Sequence, residues 1–238
     1  MAEPRPAMKQ SWQHVLFLHW EMEAEALARR LPPGLTLDTY QGRAFVGVVP
    51  FTMRGVRFLW HPSLPWISNF HETNVRTYVR CGDEAGVLFF SLEAANPLAV
   101  AAARAAFSLP YFYASMRMDV TEQPGAQPVI DYHSRRLPPG TRPATCEARY
   151  QPEGEPRVSA PGTLEHFLVE RYTLFTVRGG SLRLGRVRHA PYPLQRAKVE
   201  RWSESLLQAA GIQRPTGEPL AHYARGVDVD VMPLERVP

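Results

Sequence analysis

Cysteine and lysine are scarce in this sequence of 238 residues. Its two cysteines, Cys81 and Cys146, are too few for a disulfide framework or for a zinc site of four cysteines. The 27 basic residues include only two lysines, Lys9 and Lys198, so the other 25 are arginines. We therefore expect a reduced, cytoplasmic setting, in which lysine chemistry has only two places to occur.

Long apolar segments are also absent. The longest candidate, residues 15–18, is far shorter than the roughly 20 residues of a transmembrane helix. The first nine residues are polar and rich in proline, and no apolar signal-peptide core follows them. We therefore expect no interaction with a membrane. The 45% hydrophobic and 21% charged residues are typical of a globular protein.

Positive charges are only slightly in excess of negative charges. A net charge of +4 over 238 residues produces a weak field, so we expect no nucleic-acid partner. The preference for arginine over lysine has two explanations at this stage. It reflects either genomic composition or a use of arginines as planar donors to carboxylate or phosphate groups.

Motifs for metals, nucleotides and covalent catalysis are missing as well. His14 and His19 are five residues apart and His61 and His71 are ten apart, and neither spacing is that of a zinc helix or ribbon. Glycine-rich phosphate loops and the G-x-S-x-G elbow do not occur. We therefore expect no metal and no cofactor.

What the sequence does contain is a succession of short elements separated by its 23 prolines and 16 glycines. Alternating and β-branched segments predict strands, and capped apolar segments predict helices. The predicted strands are 12–20, 35–40, 43–53, 72–80, 87–94, 111–120, 129–136, 145–151, 172–177, 182–189 and 227–232. The predicted helices are 21–30, 97–107, 163–170 and 203–210. We expect a β-rich α+β fold: a flexible tail (1–10) and one domain (11–238), a closed or half-closed β-barrel or cone with flanking helices.

Two predicted strands carry an unusual polar face. Alternate side chains of a strand share a face, which places these residues together: Glu72, Asn74, Arg76, Tyr78 and Arg80. In the same way, the strand at 111–120 groups Tyr111, Tyr113, Ser115 and Arg117. One explanation is that these faces are the solvated outside of a sheet. The other is that they line a polar pocket inside the barrel, which the mixture of tyrosines, arginines and an acid favours.

Five segments together resemble the YqjF-like family of uncharacterised conserved proteins. They are FHETNVRTYV (70–79), FFSLEA (89–94), ARAAFSLPYF (103–112), GTLEHFL (162–168) and HAPYPLQ (189–195). The resemblance extends over most of the chain. It implies no function, because the activity of that family is not established.

The family in turn resembles the acetoacetate decarboxylase-like superfamily, which implies a β-cone or barrel with flanking helices. Pro110 matches the proline of the decarboxylases' G-R-E-x-x-G-x-P-K-K segment, and Glu72 follows Phe70 as in their Y-x-E strand. On this alignment Tyr111 stands in place of the Schiff-base lysine, and Phe112 in place of the second lysine that lowers its pKa. Tyrosine cannot form an imine. The resemblance therefore implies the pocket without imine-forming decarboxylation.

Two functions from different classes follow. The first is a protein that binds a small anionic, carboxylate-bearing metabolite in this pocket. The second is an acid–base enzyme without a catalytic lysine, a lyase, hydratase or isomerase acting on an oxo- or hydroxy-acid, with Glu72 as base and Tyr111 as donor. The substrate-binding candidates are Arg76, Arg104, Tyr113 and Arg117. We expect the loop at 60–70 to roof the pocket, and we leave homo-oligomerisation open.

Overall fold

The computed structural model describes residues 5–58, 68–122, 124–138 and 142–237. Within these ranges, thirteen strands and four helices follow one another along the chain. The strands are β1 (Met8–Met22), β2 (Thr36–Leu37), β3 (Ala44–Phe58), β4 (Phe70–Cys81), β5 (Glu84–Ala94), β6 (Tyr111–Thr121), β7 (Val129–Arg136), β8 (Thr145–Arg157), β9 (Thr173–Arg178), β10 (Ser181–Arg188), β11 (Leu194–Glu204), β12 (Leu220–Val231) and β13 (Glu235–Arg236). The helices are α1 (Ala24–Ala28), α2 (Pro97–Phe107), α3 (Leu164–Val169) and α4 (Leu206–Ala209).

All thirteen strands belong to one sheet that closes on itself. The order is β13-β10-β9-β5-β6-β7-β8-β11-β12-β1-β3-β4-β2. The antiparallel β4–β5 hairpin joins the two arms of this order and closes a ring of nine strands. A second pairing joins β10 to β12. It places the β9–β10 hairpin over the face of the sheet that points away from the interior of the nine-strand ring. The predicted β-rich α+β fold with a closed sheet and flanking helices is confirmed.

Strands β1, β3 and β4 are the wall between two apolar cores. Along β1, Leu16 and Leu18 belong to one cluster, whereas Val15 and Phe17 belong to the other. The first cluster also contains side chains of β7 and β8 and therefore fills the nine-strand ring. The second cluster lies between the wall and the elements β5, β9, β10 and α3. Both faces of the wall are buried as a result.

Helix α2 connects β5 to β6 and packs beside the second core. The side chain of Asn96 caps it, since Asn96 Oδ1 accepts hydrogen bonds from the backbone N–H groups of Leu98 and Ala99, each 3.0 Å away. Pro97 occupies the first turn, where its missing N–H costs nothing. Ser108 ends the helix in the left-handed conformation, with φ of 52°. This helix, with its boundaries and its cap, agrees with the prediction.

Other parts of the prediction were wrong. Met8–Gln10, assigned to the flexible tail, lie in β1, and Met8 pairs with Val231 of β12. The predicted strand 35–40 is reduced to β2, which pairs with β4, and only a bridge between Tyr40 and Arg43 connects this segment to the next strand. Strand β11 was missed, and helices α1 and α4 are shorter than predicted. Long-range pairing decided each of these segments.

One glycine permits the crossing of β5 and β9. An added Cβ at Gly86 would lie 2.6 Å from the backbone oxygen of Thr173. No real Cβ contact is this short, so only glycine allows the parallel pairing of Val87 with Leu174.

The described helices include none long and apolar enough to cross a bilayer.

Candidate functional site

A cavity of about 500 Å³ lies against the wall of β1, β3 and β4, on the face that points away from the nine-strand ring. Apolar side chains form most of its lining, from β1, β3, β5, β12 and α2. The lining residues with polar or charged groups are Gln10, Trp12, Glu72, Asn74, Arg76, Tyr111, Arg171, Tyr172, Thr173, Arg186 and Tyr192. The cavity is therefore more apolar than the sequence predicted, with its polar groups set into particular positions.

Strand β4 contributes a row of polar side chains to this cavity. Glu72, Asn74 and Arg76 alternate along the strand and all three line the cavity. Each is buried, with relative exposures of 2%, 5% and 8%. Strand β4 pairs with β3 on one side and β5 on the other, and its residues 72–79 are all buried. The alternative of a solvated outer face is therefore wrong for β4.

The structure brings Glu72 and Tyr111 together, although they are 39 residues apart. Glu72 pairs with Ala94 across the β4–β5 hairpin, and Tyr111 at the start of β6 pairs with Leu92 of β5. Strand β5 thus lies between the two strands that carry Glu72 and Tyr111. The Tyr111 hydroxyl donates to Glu72 Oε2 over 2.7 Å, and both side chains are buried.

The surroundings of this pair favour the protonated acid. Burial raises the pKa of Glu72 to about 8, the Tyr111 hydrogen bond lowers it, and the charge of Glu93 raises it. Burial also raises the pKa of Tyr111 well above its usual value, with the Glu72 charge adding to the effect. At neutral pH the pair therefore consists of a carboxylic acid and a neutral phenol. A neutral carboxylic acid can donate a hydrogen bond, which a carboxylate cannot.

Arg76 is the second chemically distinctive group. Its Nη2 donates to the backbone oxygen of Leu168 over 2.9 Å, and its guanidinium lies over the rings of Phe17 and Tyr78, 5.5 and 5.7 Å from their centroids. Its Nε has no hydrogen-bond partner among the described residues. No carboxylate of the described chain lies within ion-pair distance of it.

The other two arginines of the cavity have acidic partners. Arg171 Nη1 donates to Asp38 over 2.6 Å, and the Asp38–Arg171 pair is largely buried. Arg186 Nη1 donates to Glu235 over 2.7 Å. Arg76 is thus the one cavity arginine of the described residues without an acidic partner.

Three residues that the sequence grouped with the site lie elsewhere. Arg104 is exposed, and its Nε donates to the backbone oxygen of Tyr111 over 2.7 Å. Tyr113 is 39% exposed and does not line the cavity. The Arg117 side chain is 75% exposed and pairs with Asp119 at 2.5 Å. Their predicted place in the pocket is therefore wrong, and each has a local explanation on the surface.

Two further expectations have different outcomes. Of the loop predicted to roof the pocket, residues 60–67 lie outside the described residues, whereas Phe70 lines the cavity. Phe112, which the resemblance aligned with the second lysine of the decarboxylases, does not line the cavity. Its ring lies 3.9 Å from the guanidinium of Arg136, which forms a buried ion pair with Glu93. The position thus serves the packing of the nine-strand ring.

Some polar residues of the cavity were not predicted. Gln10 and Trp12 face it from β1, and Gln10 Oε1 and Trp12 Nε1 are buried without a hydrogen-bond partner among the described residues. The Oδ1 atom of Asn74 shares this property. Buried polar atoms normally have partners, so these atoms indicate hydrogen bonds to groups other than the described residues, such as water or a ligand. Gln10 was missed because the sequence assigned it to a tail.

Metal ligation finds no support in the geometry of the described residues. They contain no cluster of three or more histidine, cysteine, aspartate or glutamate side chains arranged to hold an ion. His14 Nδ1 lies 2.9 Å from the hydroxyl of Tyr223, and His71 Nδ1 lies 2.9 Å from that of Thr52. Burial lowers the pKa of both histidines. His61 is outside the described residues.

Comparisons with known proteins agree with this architecture. Residues 9–228 match the model of the DUF2071 family, described as an uncharacterized conserved protein. The chain is 38% identical over 229 residues to the uncharacterized protein YqjF of Bacillus subtilis (strain 168), with 96% of this chain and 92% of that protein covered.

Two solved structures show the same fold. One is an acetoacetate decarboxylase-like enzyme from Sphingomonas wittichii RW1, with a TM-score of 0.65 and 13% identity, covering 98% of this chain and 93% of that chain. The other is the enduracididine biosynthesis enzyme MppR complexed with pyruvate, with a TM-score of 0.64 and 14% identity, covering 99% and 91%. The expected acetoacetate decarboxylase-like fold is confirmed, and at these identities the likeness extends to the fold alone.

The raised pKa of Glu72 predicts how the stability of the protein changes with pH. Between its ordinary pKa of 4.5 and its folded-state pKa of about 8, the unfolded chain has lost a proton that the folded chain keeps. This linkage lowers the free energy of unfolding as pH rises, by up to about 1.4 kcal/mol per pH unit, and the effect levels off above pH 8. Glu72→Gln removes the titration. We therefore expect the stability of the variant relative to the unsubstituted protein to rise from pH 5 to pH 8.

Urea unfolding of both proteins at pH 5, 6, 7 and 8 measures this difference, and the exposed replacement Glu155→Gln is the matched control. A difference for Glu72→Gln that does not change with pH would show that Glu72 is not held protonated.

Proposed function

This chain belongs to the DUF2071 family of uncharacterised conserved proteins, and we propose that its cavity binds a small carboxylate-bearing molecule with a mainly apolar body. In this proposal Arg76 holds the carboxylate and the apolar lining holds the remainder. The observation that carries the proposal is the buried Arg76 guanidinium, which lacks an acidic partner among the described residues and lines the cavity.

The state of Arg76 favours an anionic ligand. A buried charge is costly unless it is paired and hydrogen-bonded, and Arg76 has one backbone acceptor and two aromatic rings. A planar guanidinium matches a carboxylate, with which it forms two parallel hydrogen bonds. A bound carboxylate would therefore supply both the countercharge and an acceptor for the guanidinium.

The remaining lining sets the character of the rest of the ligand. Phe17, Val49, Phe51 and Phe89 are among the side chains of the walls, and α2 adds Ala99 and other small residues. Such surfaces favour methylene or ring groups, at roughly 25 cal/mol per Å² of apolar area removed from water. The volume of about 500 Å³ lies in the range of small-molecule sites. The MppR structure, which is complexed with pyruvate, supports a carboxylate in this fold.

Imine chemistry forms no part of the proposal. Lys9 lies on β1 and pairs with Asp230 at 3.3 Å, and Lys198 is exposed on β11. Neither lysine lines the cavity. Tyr111 and Phe112 occupy the two lysine positions of the decarboxylases, so a ketone in this cavity would meet no amine.

A second function, acid–base catalysis without a lysine, has one observation in its favour. The pKa of Glu72 is raised to about 8, and a general acid or base is most effective when its pKa is close to the working pH. Tyr111 donates to Oε2 of Glu72, which leaves Oε1 available to exchange a proton with a ligand. Such a site suits the enolisation of an oxo-acid.

Binding of a simple carboxylate tests the role of Arg76. Isothermal titration with hexanoate should show saturable binding, and Arg76→Met should weaken it by about 10-fold to 100-fold, the value of a charge-assisted hydrogen bond. Arg117→Met, the same replacement at an exposed site, should bind as the unsubstituted protein does. Equal affinity in both variants, with circular dichroism confirming that both are folded, would contradict the proposal.

Hydrogen exchange tests the second function. With 6-oxoheptanoate in deuterated water, catalysis would speed the exchange of the protons next to the ketone, as followed by NMR. Glu72→Gln would abolish the acceleration. Exchange at the uncatalysed rate, with the acid bound, would leave binding as the function and exclude enolisation.

A further inference from the structure

The polar row of β4 has a fixed spacing that restricts the ligand. Glu72 and Arg76 are four residues apart on the same face, and Asn74 lies midway between them. A strand advances about 3.3 Å per residue, so the Cα atoms of the two outer residues are about 13 Å apart. The cavity thus has a cationic end at Arg76 and a neutral, hydrogen-bonding end at Glu72 and Tyr111.

We propose that the ligand is a hydroxy acid whose hydroxyl is remote from its carboxylate, on a chain of about five to eight carbons. The carboxylate lies at Arg76, and the hydroxyl lies between the side chains of Glu72 and Asn74. This inference rests on the proposed function, because it takes Arg76 as the carboxylate-binding residue.

The chain length follows from the two ends. A hydroxyl midway between Glu72 and Asn74 is about 10 Å from Arg76 along the strand, and one hydrogen bond of about 2.9 Å to the guanidinium leaves roughly 7 Å between the oxygens of the ligand, when the side chains project in parallel. An extended chain covers about 3.5 Å in three bonds, so about six bonds separate the two oxygens. A chain of five carbons meets this requirement, and longer chains fit by bending within the cavity.

The side chains of Asn74 and Glu72 favour a hydroxyl group at this end of the ligand. Asn74 Oδ1 is buried without a partner among the described residues and requires a donor. Glu72 already accepts from Tyr111 at Oε2, and burial raises its pKa so that the acid keeps a proton to donate. A hydroxyl donates and accepts at once, so it satisfies both side chains.

The wall between the two ends disfavours a hydroxyl near the carboxylate. In the β3–β4 register Gly47, which has no polar side chain, lies beside Arg76, and Val49 lies beside Asn74. Phe17 lies under the guanidinium of Arg76. A 2-hydroxyl or 3-hydroxyl would therefore meet apolar side chains and lose its hydrogen bonds to water. The methylene groups of a longer chain suit the same surface.

Titration calorimetry with three acids of equal length tests this inference. We expect 6-hydroxyhexanoate to bind about fivefold more tightly than hexanoate, the value of one additional hydrogen bond, and 2-hydroxyhexanoate to bind more weakly than hexanoate. The ratio of the 6-hydroxyhexanoate and hexanoate affinities should fall to about one in Glu72→Leu and in Asn74→Leu. Arg117→Met should keep the ratio of the unsubstituted protein.

The outcomes separate the two proposals. If hexanoate and 6-hydroxyhexanoate both fail to bind, the carboxylate site at Arg76 is wrong and the inference fails with it. If both bind with equal affinity, or if 2-hydroxyhexanoate binds most tightly, the carboxylate site stands and the remote hydroxyl is overturned. A ratio that persists in both leucine variants would also overturn it.

Discussion

The burial of β4 on both faces is the constraint on which the site depends. Between β3 and β5 the strand has no free edge, and its two faces belong to two separate apolar cores. Its polar side chains therefore have no access to bulk water, and only the cavity remains for Glu72, Asn74 and Arg76. A charged arginine and a carboxylic acid in such a position are costly unless they bind something. The closure of the sheet thus buries both faces of an alternating strand and leaves these three polar side chains lining a cavity.

The same closure fixes the roles of the first two residues of β6. The β5–α2–β6 connection places the first of them, Tyr111, beside Glu72. With tyrosine there, the pair has one shared hydrogen bond and no positive charge, so burial alone dominates the pKa of Glu72. Phe112 turns its ring to the Arg136–Glu93 pair inside the nine-strand ring. Tyr111 therefore forms a hydrogen bond on one face of β6, and Phe112 packs on the other face.

Local patterns in the sequence predicted part of this arrangement well. The β4–β5 hairpin and the capped helix α2 depend on nearby turn and cap residues, and both were found. Alternation correctly placed Glu72, Asn74 and Arg76 on one face. Alternation also grouped Tyr113 and Arg117 with Tyr111, but it gives no information on how far a strand follows a cavity. In β6 only Tyr111–Tyr113 pair with β5, and from Ala114 onwards the strand pairs with β7, away from the cavity.

Long-range pairing accounts for the remaining differences. Gln10 joins the cavity because β1 pairs with β12, more than 200 residues later, and no local signal marks it. Strand β2 is two residues long, so its choice of β4 over β3 depends on the closed sheet rather than on its own sequence. The lack of an acidic partner for Arg76 among the described residues could not be predicted either, since it depends on where Asp38 and Glu235 pair with the other arginines.

A crystal structure of the protein with bound hexanoate is the most direct test of the central claim. The account predicts electron density for the carboxylate within hydrogen-bond distance of the Arg76 guanidinium, with the alkyl chain along Val49 and Phe51. A carboxylate bound to Arg171 or Arg186 in place of their present partners, or an alkyl chain pointing to Arg76 with its carboxylate towards α2, would contradict it.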